Sequence, residues 1–188
     1  MANCDVIVLS VKPQKLSEVL PEVKKHLRNQ HVIVSIATGK NISYLQEIMS
    51  VSTLIIRVMQ NINALMGAST SCYTASENVT KEQLHSMILL FKRVGSMTKA
   101  PEHLFSIFTT ICGASPAFTN MYIDALACVV VLEGMPKNMA LTKVANAVLG
   151  SAKMILQAQQ HPWKLVDQVF SLDGTTIQGV TSLQRNHF

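Results

Sequence analysis

Apolar runs and amphipathic stretches alternate along the first hundred residues. Continuous runs rich in β-branched residues predict strands buried on both faces of a sheet, at 5–9, 31–36 and 53–59. A weaker run predicts a fourth strand at 69–74. Helical spacing of apolar residues predicts helices between them, at 15–27, 42–49 and 81–94. This alternation with short connections predicts a parallel sheet with right-handed crossovers.

After Lys99 the pattern changes to helices alone. Helices are predicted at 102–111, 115–133, 137–160 and 162–170, followed by a turn at 171–176 that leads into another helix. We therefore expect an α/β part over residues 1–100 and an all-α part over residues 101–188.

The stretch 109–133 is the most apolar predicted helix. Residues 112–117 predict a turn of small residues, after which Ser115 suits the N-cap and Pro116 the first helical position. A helix this apolar is expected to be buried in the core or in a subunit interface. Its N-terminal amides predict a binding site for a carboxylate or phosphate.

Composition narrows the class of protein. The 188 residues are 48% hydrophobic and 14% charged, which excludes a disordered chain. The uncharged run from His103 to Ile123 has the length of a membrane span, but Gly113, Pro116 and Asn120 interrupt it, so we expect a soluble core helix. Four scattered cysteines, without a secretory signal or metal-ligand spacing, predict reduced thiols, no metal and a cytoplasmic location, with the mitochondrion as the alternative.

The positive charge lies in the first half of the chain. Residues 1–100 hold eleven Lys/Arg and six Asp/Glu, whereas residues 101–188 hold five of each. The basic residues are not interleaved with aromatic ones, so nucleic-acid binding is not expected. A phosphate-bearing small molecule, or solubility alone, accounts for the excess.

Several runs resemble signatures of one enzyme family. The first strand end, AVKPQ in the family, is here Ser10-Val11-Lys12-Pro13-Gln14. The IS-(I/L)-AAG turn corresponds to 34–39, and the R-x-MPNTPA loop to 57–64. The E-x-x-FD-x-x-T-x-x-SGSGPAY block corresponds to 102–118, and DALAD…G-(L/M)-P to 124–136. The block that ends in SPGGTTI corresponds to 150–177. In this order, over nearly the whole chain, the sequence resembles pyrroline-5-carboxylate reductase.

The resemblance implies a fold, a reaction and a site. The fold would be a partial Rossmann-like sheet that lacks its first βαβ unit, followed by a helical dimerisation domain. The reaction would be hydride transfer from NADPH or NADH to a small cyclic imino acid, 1-pyrroline-5-carboxylate, which gives L-proline. The chain would act as a homodimer or higher homo-oligomer, without nucleic acid or membrane.

By position in these motifs, the resemblance also implies roles for individual residues. The residues expected to line the cofactor are Lys12, Pro13, Ala37 and Asn61. Glu102 and Thr109 are expected near the nicotinamide as catalytic residues. The residues expected to offer N–H and O–H donors to the substrate carboxylate are Gly113, Ser171, Gly174, Thr175 and Thr176.

Departures from the family pattern leave alternatives open. The sequence has no GxGxxG turn and stops before the family's closing helices, and Asp173 places a carboxylate in the last turn. One hypothesis is a short form of an active reductase, and the other is an inactive relative that dimerises with a full-length reductase. A different hydroxyacid-dehydrogenase-like reductase is disfavoured, because no Lys-x-x-x-Asn pair stands on the central helix.

Overall fold

A computed structural model describes residues 4–172 and 174–187. The chain divides into two compact units, one up to Asn120 and the other from Met121. The expected succession of an α/β part and a helical part is confirmed. The assignment of residues 1–100 to a dinucleotide-binding domain and of residues 101–188 to a helical dimerisation domain stays a prediction.

The first unit contains a five-stranded sheet whose strand order follows the chain. The strands are β1 (Val6–Leu9), β2 (Val32–Ser35), β3 (Leu54–Met59), β4 (Ser69–Ala75) and β5 (Gly95–Lys99). Neighbouring strands are parallel except for β3 and β4, which are antiparallel. The expected parallel sheet is therefore confirmed for every neighbouring pair except β3 and β4. The connection after β3 holds only a short 3₁₀ turn, Ile62–Met66, and a parallel crossover needs a longer one.

Helices cover both faces of this sheet because its strands alternate large apolar side chains between the two sides. One face packs on α1 (Leu16–Lys25) and α2 (Ile42–Ile48), and Leu9, Ile33 and Ile55 are buried there. The other packs on α3 (Lys81–Lys92) through Val34, Ile56, Val58, Met87 and Phe91. The carboxyl ends of β1, β2 and β3 remain available for a site.

The chain is helical without a break from Glu102 to Leu132. A 3₁₀ turn leads into α4 (Phe105–Phe108), a π-helical segment at Thr109–Ala114 and α5 (Ser115–Leu132). α5 begins at Ser115 as predicted, but the predicted turn at 112–117 and the N-cap role of Ser115 were wrong. Ser115 lies inside the continuous helical stretch, and its hydroxyl donates to the Ile111 carbonyl. The amides after it lie inside a helix, so the anion site expected there is absent from the described residues.

The second unit contains most of α5 with α6 (Lys137–Ala158), α7 (Pro162–Asp167) and α8 (Thr175–Arg185). Where α5 meets α6, the Lys137 ammonium lies 2.5 Å from Asp124 Oδ1 and 3.2 Å from Cys128 Sγ. Its hydrogen bond and charge lower the pKa of Asp124. This contact joins the first residue of α6 to the second half of α5.

These long helices leave apolar side chains uncovered. Met121, Leu132 and Leu156 are 72%, 85% and 80% exposed. By length and composition alone, two helices of the described chain could cross a membrane, Glu102–Leu132 and Lys137–Ala158. Only 6% of the most apolar 18-residue window of each helix is buried in the single chain. Of the two surroundings expected for α5, the core of its own chain is therefore excluded and a subunit interface stays a prediction.

Candidate functional site

The residues expected to line the cofactor follow three neighbouring strand ends. Lys12 and Pro13 come after β1, at the start of a 3₁₀ turn, and Ala37 comes after β2. Asn61 comes after β3. Because these strands are parallel and adjacent, their carboxyl ends meet at one edge of the sheet. Ligands of open α/β sheets bind in the crevice outside such an edge.

A cavity of about 540 Å³ lies beside the carboxyl end of β2. Its walls come from the turn before α2, from β3 and from the helical stretch that begins at Glu102. The lining residues include both predicted catalytic residues: Thr38, Gly39, Lys40, Asn41, Tyr44, Arg57, Glu102, His103, Phe105, Ser106 and Thr109. The Lys40 ammonium lies 4.0 Å from the centre of the Tyr44 ring, a contact that holds this positive charge at the cavity.

Glu102 is held in the cavity wall by two donors. Its Oε1 accepts a 2.9 Å hydrogen bond from the backbone N–H of Ile42 and a 3.1 Å hydrogen bond from Arg57. The Arg57 guanidinium also stacks over the Phe105 ring, 4.4 Å from its centre. The side chain of Arg57 is only 8% exposed, so this ion pair is largely shielded from solvent. The ion pair fixes α2 and the start of the long helix to β3.

Arg57 is a site residue to which sequence reasoning gave no role. The signal was present, because it is the one charge inside the apolar strand β3. A charged residue that is almost fully buried needs a partner.

Asn61 carries an unsatisfied polar atom. The residue is 9% exposed, and its Oδ1 has no hydrogen-bond partner. Its backbone N–H donates to the Ser69 hydroxyl at 3.3 Å, which fixes the loop. Buried acceptors are nearly always paired, so this oxygen is an acceptor that a bound water or ligand would satisfy. The strand-end position and this acceptor fit the amide and hydroxyl donors of a nicotinamide nucleotide.

Thr109 stands at the first residue of the π-helical segment. Its hydroxyl donates to the Phe105 carbonyl at 2.8 Å, so toward the cavity the oxygen can act only as an acceptor. One turn along, a Cβ on Gly113 would come within 3.3 Å of the Met59 methyl. Gly113 thus permits the close approach of this helix to the end of β3.

Two buried thiols lie near this contact. Cys72 packs with Met59 and Phe105, and Cys112 lies in the π-helical segment. Burial raises the pKa of Cys112, and burial with the neighbouring Cys112 raises the pKa of Cys72 from its ordinary 9.0 to about 11. Both therefore remain neutral thiols near neutral pH, unsuited to nucleophilic chemistry.

The other predicted carboxylate-binding residues lie in the second unit. Gly174 is the N-cap of α8 and its N–H donates to the Ser171 carbonyl at 3.0 Å. Thr175 and Thr176 form the first turn of this helix, where backbone donors are available for an anion. Asp173 lies outside the described residues. Within 4–172 and 174–187, no three His, Cys, Asp or Glu side chains gather into a metal-binding group.

Comparison with known proteins gives matches over nearly the whole chain. Residues 102–188 match a family model described as pyrroline-5-carboxylate reductase dimerisation. Residues 1–39 match one described as NADP oxidoreductase coenzyme F420-dependent. A pyrroline-5-carboxylate reductase of Methanosarcina acetivorans is 40% identical over 180 residues, which cover 96% of this chain and 67% of the relative. A pyrroline-5-carboxylate reductase of Arabidopsis thaliana is 37% identical, and the match covers 98% of this chain and 66% of the relative.

Solved structures agree with these sequence matches. The crystal structure of Plasmodium falciparum pyrroline carboxylate reductase with NADP bound is similar with a TM-score of 0.91 and 30% identity. The similarity covers 98% of this chain and 70% of that one. The Streptococcus pyogenes 1-pyrroline-5-carboxylate reductase has a TM-score of 0.86, 32% identity and the same coverage. The chain thus spans about two thirds of the length of these relatives.

Proposed function

Because this chain belongs to the pyrroline-5-carboxylate reductase family, we propose that it catalyses the NAD(P)H-dependent reduction of 1-pyrroline-5-carboxylate to L-proline. The observation that carries the proposal is the cavity beside the strand ends, which has Thr109, Glu102 and Arg57 in its wall. The unsatisfied Asn61 oxygen at the same edge gives independent support for a bound nucleotide.

Lys12, Pro13, Ala37 and Asn61 would hold NADPH, or NADH, along the ends of β1, β2 and β3. The reduced nicotinamide supplies a hydride to the imine carbon when it is bound. Asn61 Oδ1 would accept a hydrogen bond from the cofactor and so fix its position at the edge of the sheet. Positioning donor and acceptor face to face is worth up to about 7–11 kcal/mol of the barrier.

Thr109 would orient the substrate. With its own proton donated to Phe105, its oxygen can accept a hydrogen bond from the protonated imine nitrogen, and this cation attracts the hydride. Glu102 would act next to the nicotinamide mainly by holding α2 and Arg57 in place, since Oε1 already accepts from both. Ser171, Thr175 and Thr176 would provide the donors for the substrate carboxylate, with Gly174 as the N-cap of the helix that carries the two threonines. Gly113 would act by keeping its helix close to the end of β3.

The helical part is built for self-association, since it matches the family's dimerisation region. We propose a homodimer in which a second copy covers the exposed apolar side chains of α5 and α6. A second copy in this position explains why two helices that are apolar enough to cross a membrane are mostly unburied in the single chain. We further propose a cytoplasmic protein that binds neither nucleic acid nor a lipid bilayer.

The test is an assay with purified 188-residue chain, NADPH and pyrroline-5-carboxylate, which follows NADPH oxidation by its near-ultraviolet absorbance. The full-length Methanosarcina relative serves as the positive control. We expect substrate-dependent oxidation that Thr109→Val reduces about 100-fold and Thr109→Ser reduces much less, because serine keeps the acceptor oxygen. A folded, dimeric chain that gives no oxidation while the control is active would overturn the proposal.

A further inference from the structure

A second polar cavity lies at the opposite edge of the sheet, where β2 and β3 begin. It has a volume of about 270 Å³. It is lined by the end of α1 and the turns that precede the two strands, with the residues Lys24, Leu27, Arg28, Asn29, His31, Met49, Ser50, Ser52, Thr53 and Leu54. None of these residues lines the strand-end cavity. The two cavities are therefore separate sites.

His31 is the informative residue of this cavity. It is 2% exposed, and its Nδ1 accepts a 3.1 Å hydrogen bond from the backbone N–H of Arg28, while its own backbone N–H donates to the Arg28 carbonyl. An Nδ1 that accepts carries no proton, so in the neutral ring the proton is on Nε2. That Nε2–H donor is buried and has no partner. Buried donors are nearly always paired, so a ligand acceptor is indicated.

The charge of the lining identifies the acceptor. Lys24 brings a positive charge, and the described lining contains no carboxylate. The Lys24 ammonium donates to the Ile48 carbonyl at 2.9 Å, which holds it at the cavity and leaves two further N–H donors. The hydroxyls of Ser50 and Ser52 lie 2.9 Å from each other on the facing turn. Cations with hydroxyl and imidazole donors are the surroundings that phosphate oxygens prefer.

We propose that this cavity binds a phosphate group, either as the free ion or as a small phosphomonoester. The Nε2–H of His31 donates to one phosphate oxygen, and the Lys24 ammonium and the serine hydroxyls neutralise and orient the others. The site is independent of the reductase activity proposed above, because it lies at the other end of the strands.

Calorimetric titration of the full 188-residue chain tests this, with inorganic phosphate and glycerol phosphate as probes at constant ionic strength set by chloride. We expect saturable binding at one site, and whichever probe binds more tightly identifies the free ion or the ester as the ligand. His31→Asn keeps an acceptor for the Arg28 N–H but is too short to place a donor at the position of Nε2, so we expect about tenfold weaker binding.

Lys24→Gln and Lys25→Gln are a matched pair, since both remove one charge from α1 but Lys25 pairs with Glu22 outside the cavity. We expect Lys24→Gln to weaken phosphate binding several-fold and Lys25→Gln to leave it unchanged. Absence of saturable binding, equal affinity in His31→Asn and the parent chain, or equal effects of the two lysine variants would each overturn the proposal. If His31→Asn fails to fold, the phosphate affinities of Lys24→Gln and Lys25→Gln still test the proposal.

Discussion

Arg57 and Glu102, which are 45 residues apart in the chain, form a shielded ion pair that joins β3 to the start of the long helix. Their side chains are 8% and 31% exposed. The carboxylate also accepts the first backbone N–H of α2, so one oxygen connects a strand and two helical segments. This contact builds the wall of the strand-end cavity.

Removal of the Glu102 carboxylate is expected to destabilise the first unit. Glu102→Ala leaves the Arg57 cation buried without its partner, which costs about 3–5 kcal/mol of unfolding free energy. Glu102→Gln keeps an acceptor for Ile42 and is expected to cost less than half as much. Urea denaturation measures both. The control is Glu18→Gln, which breaks an exposed pair with Lys15 and is expected to change stability by less than about 1 kcal/mol. Equal effects of Glu102→Ala and Glu18→Gln would contradict a stabilising role of the buried pair.

Asn61→Ala is expected to weaken NADPH binding without lowering the stability of the fold. The variant removes a buried oxygen that has no partner, so the unfolding free energy should stay the same or rise by up to about 1 kcal/mol. NADPH affinity, measured by fluorescence titration, should fall about tenfold, because the cofactor loses an acceptor. Thr80→Ala provides the opposite pattern, since it removes the capping box of α3 and should cost about 1 kcal/mol without a change in affinity. A destabilised Asn61→Ala with normal affinity would assign Asn61 to the fold alone.

Cys72 is expected to make stability fall at alkaline pH. Its pKa is about 11 in the folded chain and near 9.0 when exposed, so the folded state holds this proton more tightly. The contribution is complete below pH 9, declines as the pH rises and is lost above pH 11, a change of about 2–3 kcal/mol. Denaturation across this range should show a shallower decline for Cys72→Ala. The exposed Cys128→Ala should follow the parent chain. Parallel curves for the parent chain and Cys72→Ala would count against the buried thiol as the cause.

Gly95 is expected to be irreplaceable. It pairs with Ser69 at the start of β5, has a φ of 147°, and a Cβ there would lie 2.0 Å from the Ser69 carbonyl oxygen. Gly95→Ala should therefore cost more than about 3 kcal/mol or prevent folding. Gly179→Ala, on α8 with open space around it, should raise stability by about 0.5–1 kcal/mol. Thermal unfolding followed by circular dichroism compares the two, and a well-folded Gly95→Ala would show that β5 pairs differently.

A charge on α5 is expected to dissociate the proposed homodimer. Met121 is 72% exposed in the single chain and would be covered by the second copy. Met121→Lys would bury an unpaired ammonium in the interface, so sedimentation equilibrium should show a monomer at concentrations at which the parent chain is a dimer. Ser17→Lys, at an exposed polar position of α1, should remain dimeric. An unchanged dimer of Met121→Lys would place the interface elsewhere.

The strands that could be predicted from the sequence are those made almost entirely of apolar residues, because such a run indicates a buried strand. β1, β2 and β3 are apolar and β-branched, and each was found within one or two residues. β5 reads Gly-Ser-Met-Thr-Lys and gives no such signal, because it is held by pairing with β4 rather than by its own burial. The antiparallel direction of β4 was missed because periodicity within a strand carries no information about direction.

The site was predictable where it depends on strand ends and not where it depends on distant contacts. The position of Asn61 follows from chain order alone, because a parallel strand ends just before it. The ion pair of Arg57 with Glu102 arises only when the fold is complete. The π-helical segment that contains Cys112 and Gly113 was also not predicted, because a run of small residues favours a turn when only local sequence is considered. The close approach of Gly113 to Met59 depends on the complete fold and leaves no signal in the local sequence.

The strand order β1-β2-β3-β4-β5 repeats the order of the chain, and this has a consequence for how the first unit forms. Each strand pairs only with its neighbours in sequence, so no pairing has to wait for a segment synthesised much later. As the chain emerges from the ribosome, each strand therefore meets a partner that is already in place, and the sheet can grow in the direction of translation.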